Sequence, residues 1–555
     1  MEKIWKPEPE MLASLDASVP EILASQKENG QFGTEPWVST DQNVMLALAA
    51  AWYMKEGAYY HNDRVLDAVV RGGYALIEGQ DEAGMFLFEK KDYSTWGQIY
   101  QPWIYSRWVR AYALVREGMT TDARARWDAG LLLGFEGISK RCLGHIHNIP
   151  AHHAMGLYCA GMVFGREEWK AQAKAFMGIV VEAQSPHGWW AEHQGPVISY
   201  NFVYSEALGV YYSMSGDGKA LDALARAARY HASFTYPDGS SVETIDGRNP
   251  YHAGVRLGNP GFSHTPAGRG YLAQQHAIYL KAGKRFNADY AANMLLYGGE
   301  GPIETTAADR ERHVYRMGDK AMAVRRRPWF LCLSAFVIAQ PLNRWGQDRQ
   351  NFVSVFHDRA GLIVGGGNTK LQPLWSNFTV GDTSLLRHTP GDADPDFRPE
   401  GDLLHMPDEA ALGGDENAPE LELRYGEEIC SVALKPQSDT NVRLICRATA
   451  NSGMPVEGHL TLLPHPGEPV RLSSGDETRL GEAVLSWTVP EGGGWVAHGN
   501  WRLSLPAGAR IVWPALPHNP YRKGGEATIE EGRLVAILPF SPTVLQYEMV
   551  LEMIS

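Results

Sequence analysis

Between about residue 8 and residue 300, apolar positions recur at three- and four-residue steps broken by Gly, Pro and Asp. This spacing predicts helices over 9–27, 41–56, 64–79, 98–117, 122–134, 150–164, 167–184, 199–214, 217–234, 268–283 and 287–297. The segments VMLALAAAWYM (44–54) and WIYSRWVRAYALV (103–115) each keep one continuous apolar face, as a helix packed on a core requires. Short connections make successive helices antiparallel, and about five such hairpins side by side form either a solenoid or a closed ring. A unit of roughly 50 residues recurs without the strict repeat of a solenoid, so a closed (α/α) toroid is expected.

After about residue 305 the pattern changes to short runs such as FVSVFHD, GLIVGGG, EEICSVALK, VRLICRATA, GHLTLLP, AVLSWTV and RLVAILPF, bounded by Gly, Pro, Asn or Asp. The expected class is α+β multidomain: an (α/α) toroid catalytic domain over 1–305, followed by an antiparallel β-sandwich over 306–555. GGGNTK (365–370) lacks the spacing and strand-to-helix context of a phosphate loop and reads as a hairpin turn. Residues 389–420, rich in Pro, Asp and Gly, read as one long loop, and Arg325, Arg326 and Arg327 as a solvated edge.

Composition narrows the partners. A formal charge of −13 without a long Lys/Arg run argues against nonspecific nucleic-acid binding. Five scattered cysteines without CxxC spacing suggest neither a disulfide framework nor a Cys-rich zinc site. No apolar run approaches the roughly 20 residues that span a bilayer, and the N-terminus has no signal-like core, so no membrane partner and a cytoplasmic location are expected. A homo-oligomer is compatible with the chain.

The chemistry concentrates between His145 and Tyr204. HIHNIPAHHAMGLY (145–158) sets His145, His147, Asn148, His152 and His153 about a helix start marked by Pro150, where unpaired amides and the helix dipole favour a carboxylate. Single histidines there serve as caps, whereas the group points to a site. Imidazoles at close spacing also raise zinc, but no HExxH motif is present and no metal or other cofactor is expected. HGWWAEHQGPVISYNFVYSEAL (187–208) follows, with Trp189, Trp190, Glu192 and His193 leading into Tyr200 and Tyr204, which share a helix face. Such a pair is commonly core, but exposed tryptophans beside polar groups stack on sugar rings, and TWGQIYQPWIYSRW (95–108) offers a second platform. The turn region 236–256 adds Arg248, a candidate clamp for a substrate carboxylate, and Tyr251.

A helical toroid before a β-sandwich, with an Asn/His motif opening one helix and a Tyr about one hairpin later, resembles the polysaccharide lyases of the heparinase II/III and alginate lyase type. The resemblance implies a lyase acting on an acidic oligosaccharide or polysaccharide by β-elimination at a uronic acid. It matches Asn148 with His147 or His152 to the donors that neutralise the uronate carboxylate, and Tyr200 or Tyr204 to the catalytic tyrosine. It also implies a histidine from the sandwich domain, for which His388 and His405 are available. Elimination needs neutralisation of the carboxylate, a base for the C5 proton and an acid for O4, without an obligatory cofactor. A glycoside hydrolase using two of Glu192, Glu206, Glu243 and Asp246, a uronate C5-epimerase and a non-catalytic carbohydrate-binding module remain as rivals.

Overall fold

The computed structural model describes residues 3–192, 195–339, 349–367, 372–385, 403–519, 522 and 525–554. Among these, the helices are α1 (Glu8–Ala24), α2 (Val44–Tyr53), α3 (Asp63–Gly79), α4 (Pro102–Val115), α5 (Thr121–Arg141), α6 (Asn148–Phe164), α7 (Glu167–Glu182), α8 (Ile198–Ser215), α9 (Gly218–Ser233), α10 (Pro260–Ser263), α11 (Pro266–Lys281) and α12 (Ala288–Tyr297). Each span predicted from periodicity coincides with one of them. Two differ in extent: α5 runs on to Arg141, past the predicted end at 134, and in place of 98–117 Pro102 opens α4, where its fixed φ and missing N–H suit a first turn. The residues before it form a hairpin, Phe86–Glu89 with Thr95–Ile99, that periodicity did not predict.

The chain divides into two compact units, one of residues 1–190, 199–230 and 257–305, the other of residues 191–198, 231–256 and 306–555. The first is a helical toroid. Its inner helices are neighbours in turn, α2 with α4 and α4 with α6, while α12 returns to pack on α1 and α2 and closes the ring. Tyr158 of α6 meets Tyr211 of α8 edge-on at 5.1 Å. α8 is bound to the end of α12 by the Ser213 hydroxyl donating to the Tyr297 carbonyl at 2.9 Å. Where α10 crosses α8 the backbones nearly touch: a Cβ on Gly209 would lie 2.3 Å from the Gly261 Cα, so the crossing requires glycine at both positions.

The second unit is an antiparallel β-sandwich. One sheet runs from Leu485–Thr488 through Arg533–Phe540, Val456–Leu462 and Val353–His357 to Arg312–Met317, and the other from Glu409–Asp415 through Asn441–Ala448 and Gln546–Met553 to Glu477–Arg479. Leu331, Val355, Leu460 and Leu538 of the first sheet share one core with Leu421, Val432, Leu444 and Leu551 of the second. Strands Trp329–Ser334 and Val353–His357 are buried at every residue, so both their faces are covered. Residues 231–256 cover part of the outer face: the Tyr236 ring stacks on Phe356 at 4.9 Å and the Thr244 hydroxyl meets Ser354 at 3.1 Å.

Three expectations change here. The segment read as a loop over 389–420 contains strands Glu409–Asp415 and Ala418–Tyr425, paired at a sheet edge where EAALGGD needs no clean alternation; residues 386–402 lie outside the described residues. Arg325 is buried, not a solvated edge: its guanidinium donates to the Ala308 and Trp329 carbonyls and pairs with Asp358 at 2.8 Å. The glycines of GGGNTK do more than turn the chain. The Gly366 amide donates to the Glu243 carboxylate at 3.2 Å, and its carbonyl accepts from the Tyr251 amide at 3.0 Å; residues 368–371 are outside the described set.

Candidate active site

Successive helices of the toroid reverse direction, so the inner helices α2, α4, α6 and α8 run the same way and start at the same end. A polar layer within the first few turns of α4, α6, α8 and α12 agrees with this direction for those four. Arg107 of α4 holds Asp289 of α12 in a bidentate pair, with Nε to Oδ1 at 2.8 Å and Nη2 to Oδ2 at 2.7 Å, and its Nη2 lies 3.6 Å from Glu206 of α8. Beside it, fully buried Arg110 donates to Asn293 of α12 at 2.7 Å and to the Ser106 carbonyl at 2.8 Å. His152 of α6 faces the same layer: its pKa is lowered by burial first, then by Arg107 and Arg110, with the Val203 backbone of α8 and Asp289 opposing.

Above this layer, the first turns hold Trp103 of α4, Asn148 of α6 and Tyr200 of α8. Asn148 is buried, whereas Tyr200 and Trp103 are half-buried. His147 is the N-cap of α6 in extended conformation, and among the described residues no side chain caps this start. Its amides and the Asn148 carboxamide are therefore donors suited to an anion.

The four histidines of the HIHNIPAHH segment separate into two groups. His145 and His147 are exposed. His152 and His153 lie on the packed face of α6, where burial, the dominant cause, depresses their pKa values to about 3 and about 4. Neutral at pH 7, they supply no cation, so any contact of His152 with a carboxylate would be through a neutral N–H. His153 Nε2 instead holds the Tyr100 carbonyl at 2.6 Å, tying the α4 approach to the α6 start.

The second segment also separates. Trp190 is no sugar platform: it is 1% exposed, stacks on Tyr204 at 5.0 Å, and donates its indole N–H to the Val180 carbonyl at 2.8 Å. Tyr204, also 1% exposed, is part of that core pair. Asn201 clamps the Trp190 backbone on both sides, accepting from its amide at 2.8 Å and donating to its carbonyl at 3.2 Å. Trp189 remains half-buried.

The other candidates belong to the sandwich unit. Glu192 is half-buried on a two-residue strand paired with Gly195–Pro196; His193 lies outside the described residues, as does His388. Asp246 holds a turn, accepting from the Ile198, Arg248 and Asn249 amides. That turn carries half-buried Arg248. The Tyr251 hydroxyl accepts from the Ser240 hydroxyl at 3.2 Å and donates to Asp238 at 3.4 Å, and burial raises its pKa. His405 lies in the irregular segment before Glu409–Asp415 and is buried there, its pKa depressed to about 4 by desolvation.

Glu243 is 2% exposed, accepts from the Tyr236 hydroxyl at 3.0 Å, and is pushed up to about 7 by burial, which its backbone and Tyr236 hydrogen bonds and Arg533 only partly offset. The folded chain therefore keeps a proton that the unfolded chain releases between pH 4.5 and about 7. Stability falls as pH rises through that window, by about 3 kcal/mol in total. Urea titrations at pH 5 and pH 8 are expected to show a smaller difference for Glu243→Gln than for the unaltered chain; equal differences would remove Glu243 as the cause.

Sequence reading missed Arg107, Arg110 and Asp289. The signal was present, as two arginines inside the otherwise apolar WIYSRWVRAYALV helix. Among the described residues no cluster of three His, Cys, Asp or Glu side chains is placed to hold a metal ion, and no helix is long and apolar enough to cross a membrane.

No protein-family model and no curated protein sequence matches the chain. Solved structures do. A Streptomyces coelicolor chondroitin AC lyase in complex with chondroitin sulphate aligns over 99% of this chain and 80% of its own, with a TM-score of 0.55 at 13% identity. The fold is that of the polysaccharide lyases. A chondroitinase AC lyase aligns over 99% of this chain and 82% of its own (TM-score 0.54, 12% identity), and a heparinase III over 96% and 80% (TM-score 0.53, 10% identity).

Proposed function

We propose that this chain is a polysaccharide lyase that cleaves a uronate-containing glycan by β-elimination. The reading rests on one observation above the others: on a fold shared with chondroitin AC lyase and heparinase III, the parallel inner helices start at one end, and two of those starts carry Asn148 and Tyr200.

In this reading Asn148 and the uncapped amides of α6 bind the C5 carboxylate and stabilise the charge that develops as C5 is deprotonated. Tyr200, as phenolate, takes the C5 proton. The electron pair forms the C4–C5 double bond, the C4–O4 bond breaks, and the phenol returns a proton to O4. The products are an unsaturated uronate and a new free hydroxyl. A phenol near its ordinary pKa of about 10 is a weak base at neutral pH, so the reaction needs positive potential beside it. The α6 dipole is the proposed source, with the exposed His145 and His147 rings beside it as further contacts to the glycan, because the buried histidines stay neutral.

Purified protein incubated with chondroitin sulphate, heparan sulphate, hyaluronan, alginate, polygalacturonate and xanthan is expected to generate the ultraviolet absorbance of the C4–C5 double bond on at least one. Chain shortening without that absorbance would instead indicate hydrolysis, and deuterium uptake at C5 without shortening would indicate epimerisation.

A further inference from the structure

The hairpin of Phe86–Glu89 and Thr95–Ile99 places large aromatic side chains in solvent. Tyr93 is 69% exposed and Trp96 66% exposed, against 1% for Phe86 at the hairpin's base. The turn joining the strands is closed by the Lys90 amide to the Ser94 carbonyl and the Tyr93 amide to the Lys90 carbonyl, both at 2.9 Å. Tyr93 adopts φ of +64°, the left-handed position that such loops ordinarily give to glycine or asparagine. An aromatic residue there is strained, and its high exposure shows that core packing does not compensate.

The arm is anchored to the toroid. Lys91 Nζ binds the Thr34 and Pro36 carbonyls at 2.9 Å and Asp41 at 2.5 Å, and Phe88 backs the Trp96 indole at 4.7 Å. Lys90 has a different role. Its ammonium lies 5.3 Å from the Trp96 ring centroid, and among the described residues it makes no ion pair. An exposed indole with an unpaired cation beside it complements a sugar ring bearing an anionic group. The arm is also continuous with the candidate site: its second strand leads into Tyr100, whose carbonyl is held by His153 of α6. At about 3.3 Å per strand residue, Trp96 stands roughly 13 Å along the strand from that contact.

We propose that the Phe86–Ile99 hairpin is a glycan-binding arm. Trp96 and Tyr93 stack on rings of an acidic oligosaccharide, Lys90 pairs with a carboxylate or sulphate, and the chain is held several sugar residues from the bond that is cut. The proposal rests on the lyase reading for its ligand class, but its test reads binding without turnover.

Electrophoresis through gels carrying each of the six glycans above is expected to retard the unaltered chain on at least one. Trp96→Ala, Tyr93→Gly and Lys90→Ala should each weaken that retardation by about 3–10-fold, the range that stacking and ion-pair contacts of this kind provide. Leu87→Ala, exposed on the opposite face of the strand, should leave it unchanged. Tyr93→Gly also relieves the strained position, so its melting temperature should hold or rise while binding falls, a pair of opposite signs that a structural role would not produce. Alginate and polygalacturonate against the sulphated glycans distinguish a carboxylate from a sulphate partner for Lys90. Unchanged retardation in the three arm variants, or an unaltered chain retarded by none of the six, overturns the proposal even where unsaturated product forms. Weakened retardation in the arm variants without any unsaturated product supports the arm and removes the lyase reading.

Discussion

Tyr200→Phe is expected to remove nearly all formation of unsaturated uronate, a fall of about 10²–10⁴ in rate, while the thermal midpoint stays where it is. The proton taken from C5 and returned to O4 is transferred only in the transition state, so kcat and kcat/KM should fall together with KM little changed. Tyr204→Phe is the internal comparison. The two tyrosines lie four residues apart on α8, but Tyr204 is packed against Trp190 at 1% exposure, and a phenylalanine ring preserves that stack. Tyr204→Phe should therefore keep activity within a few-fold. The check is ultraviolet assay of both variants beside circular-dichroism melts. Full activity in Tyr200→Phe would end the tyrosine mechanism, and the reverse pattern would move the chemistry to the buried ring and require an opening of the Trp190 pocket.

The fold was legible in the chain because its two halves differ in period. Helices such as α3 and α9 put apolar residues on one face, and strands such as Ala418–Tyr425 alternate buried and open positions, so each face is written in the spacing. The hairpin at 86–99 was not legible. Its outward residues Tyr93 and Trp96 are aromatic, and a short two-stranded ribbon with an apolar exposed side carries no alternation to read.

The site was legible only in part, for a related reason. Histidine and tryptophan suit both cores and active sites, and sequence alone assigns no burial. His152, His153 and Trp190 prove to be packed inside the toroid, while Asn148 and Tyr200 sit in the first turns of α6 and α8. The charged layer joining α4, α8 and α12 was hidden because Arg107 and Asp289 are 182 residues apart, a pairing that only closure of the ring creates.

Arg107→Ala is expected to destabilise the toroid by about 3–5 kcal/mol, the range for breaking a buried ion pair from one side. Arg107 is 8% exposed, and its side chain neutralises two carboxylates that are themselves only 26% and 21% exposed. Burial alone would raise the Asp289 pKa, but Arg107 overcomes it and holds Asp289 below its ordinary value, while Glu206, farther from the guanidinium, remains raised by burial. Arg110 also favours the charged form of Asp289, but only through space, because its hydrogen bonds go to Asn293 and the Ser106 carbonyl; Arg107 is the larger influence. The pH dependence gives the test its direction. In the unaltered chain the Asp289 contribution is present above pH 3.8, its ordinary pKa, and is lost as pH falls through the depressed folded value. Without Arg107 the largest opposition to burial is gone and the Asp289 pKa is expected to rise, so the variant's deficit should be smaller at pH 4.5 than at pH 8. Urea unfolding at both pH values measures this, with Asp289→Ala and the double variant completing a cycle whose coupling should be strongly favourable for the native pair. A deficit independent of pH, or additive losses in the double variant, would mean that Arg107 serves the ring through packing of its side-chain stem and not through its charge.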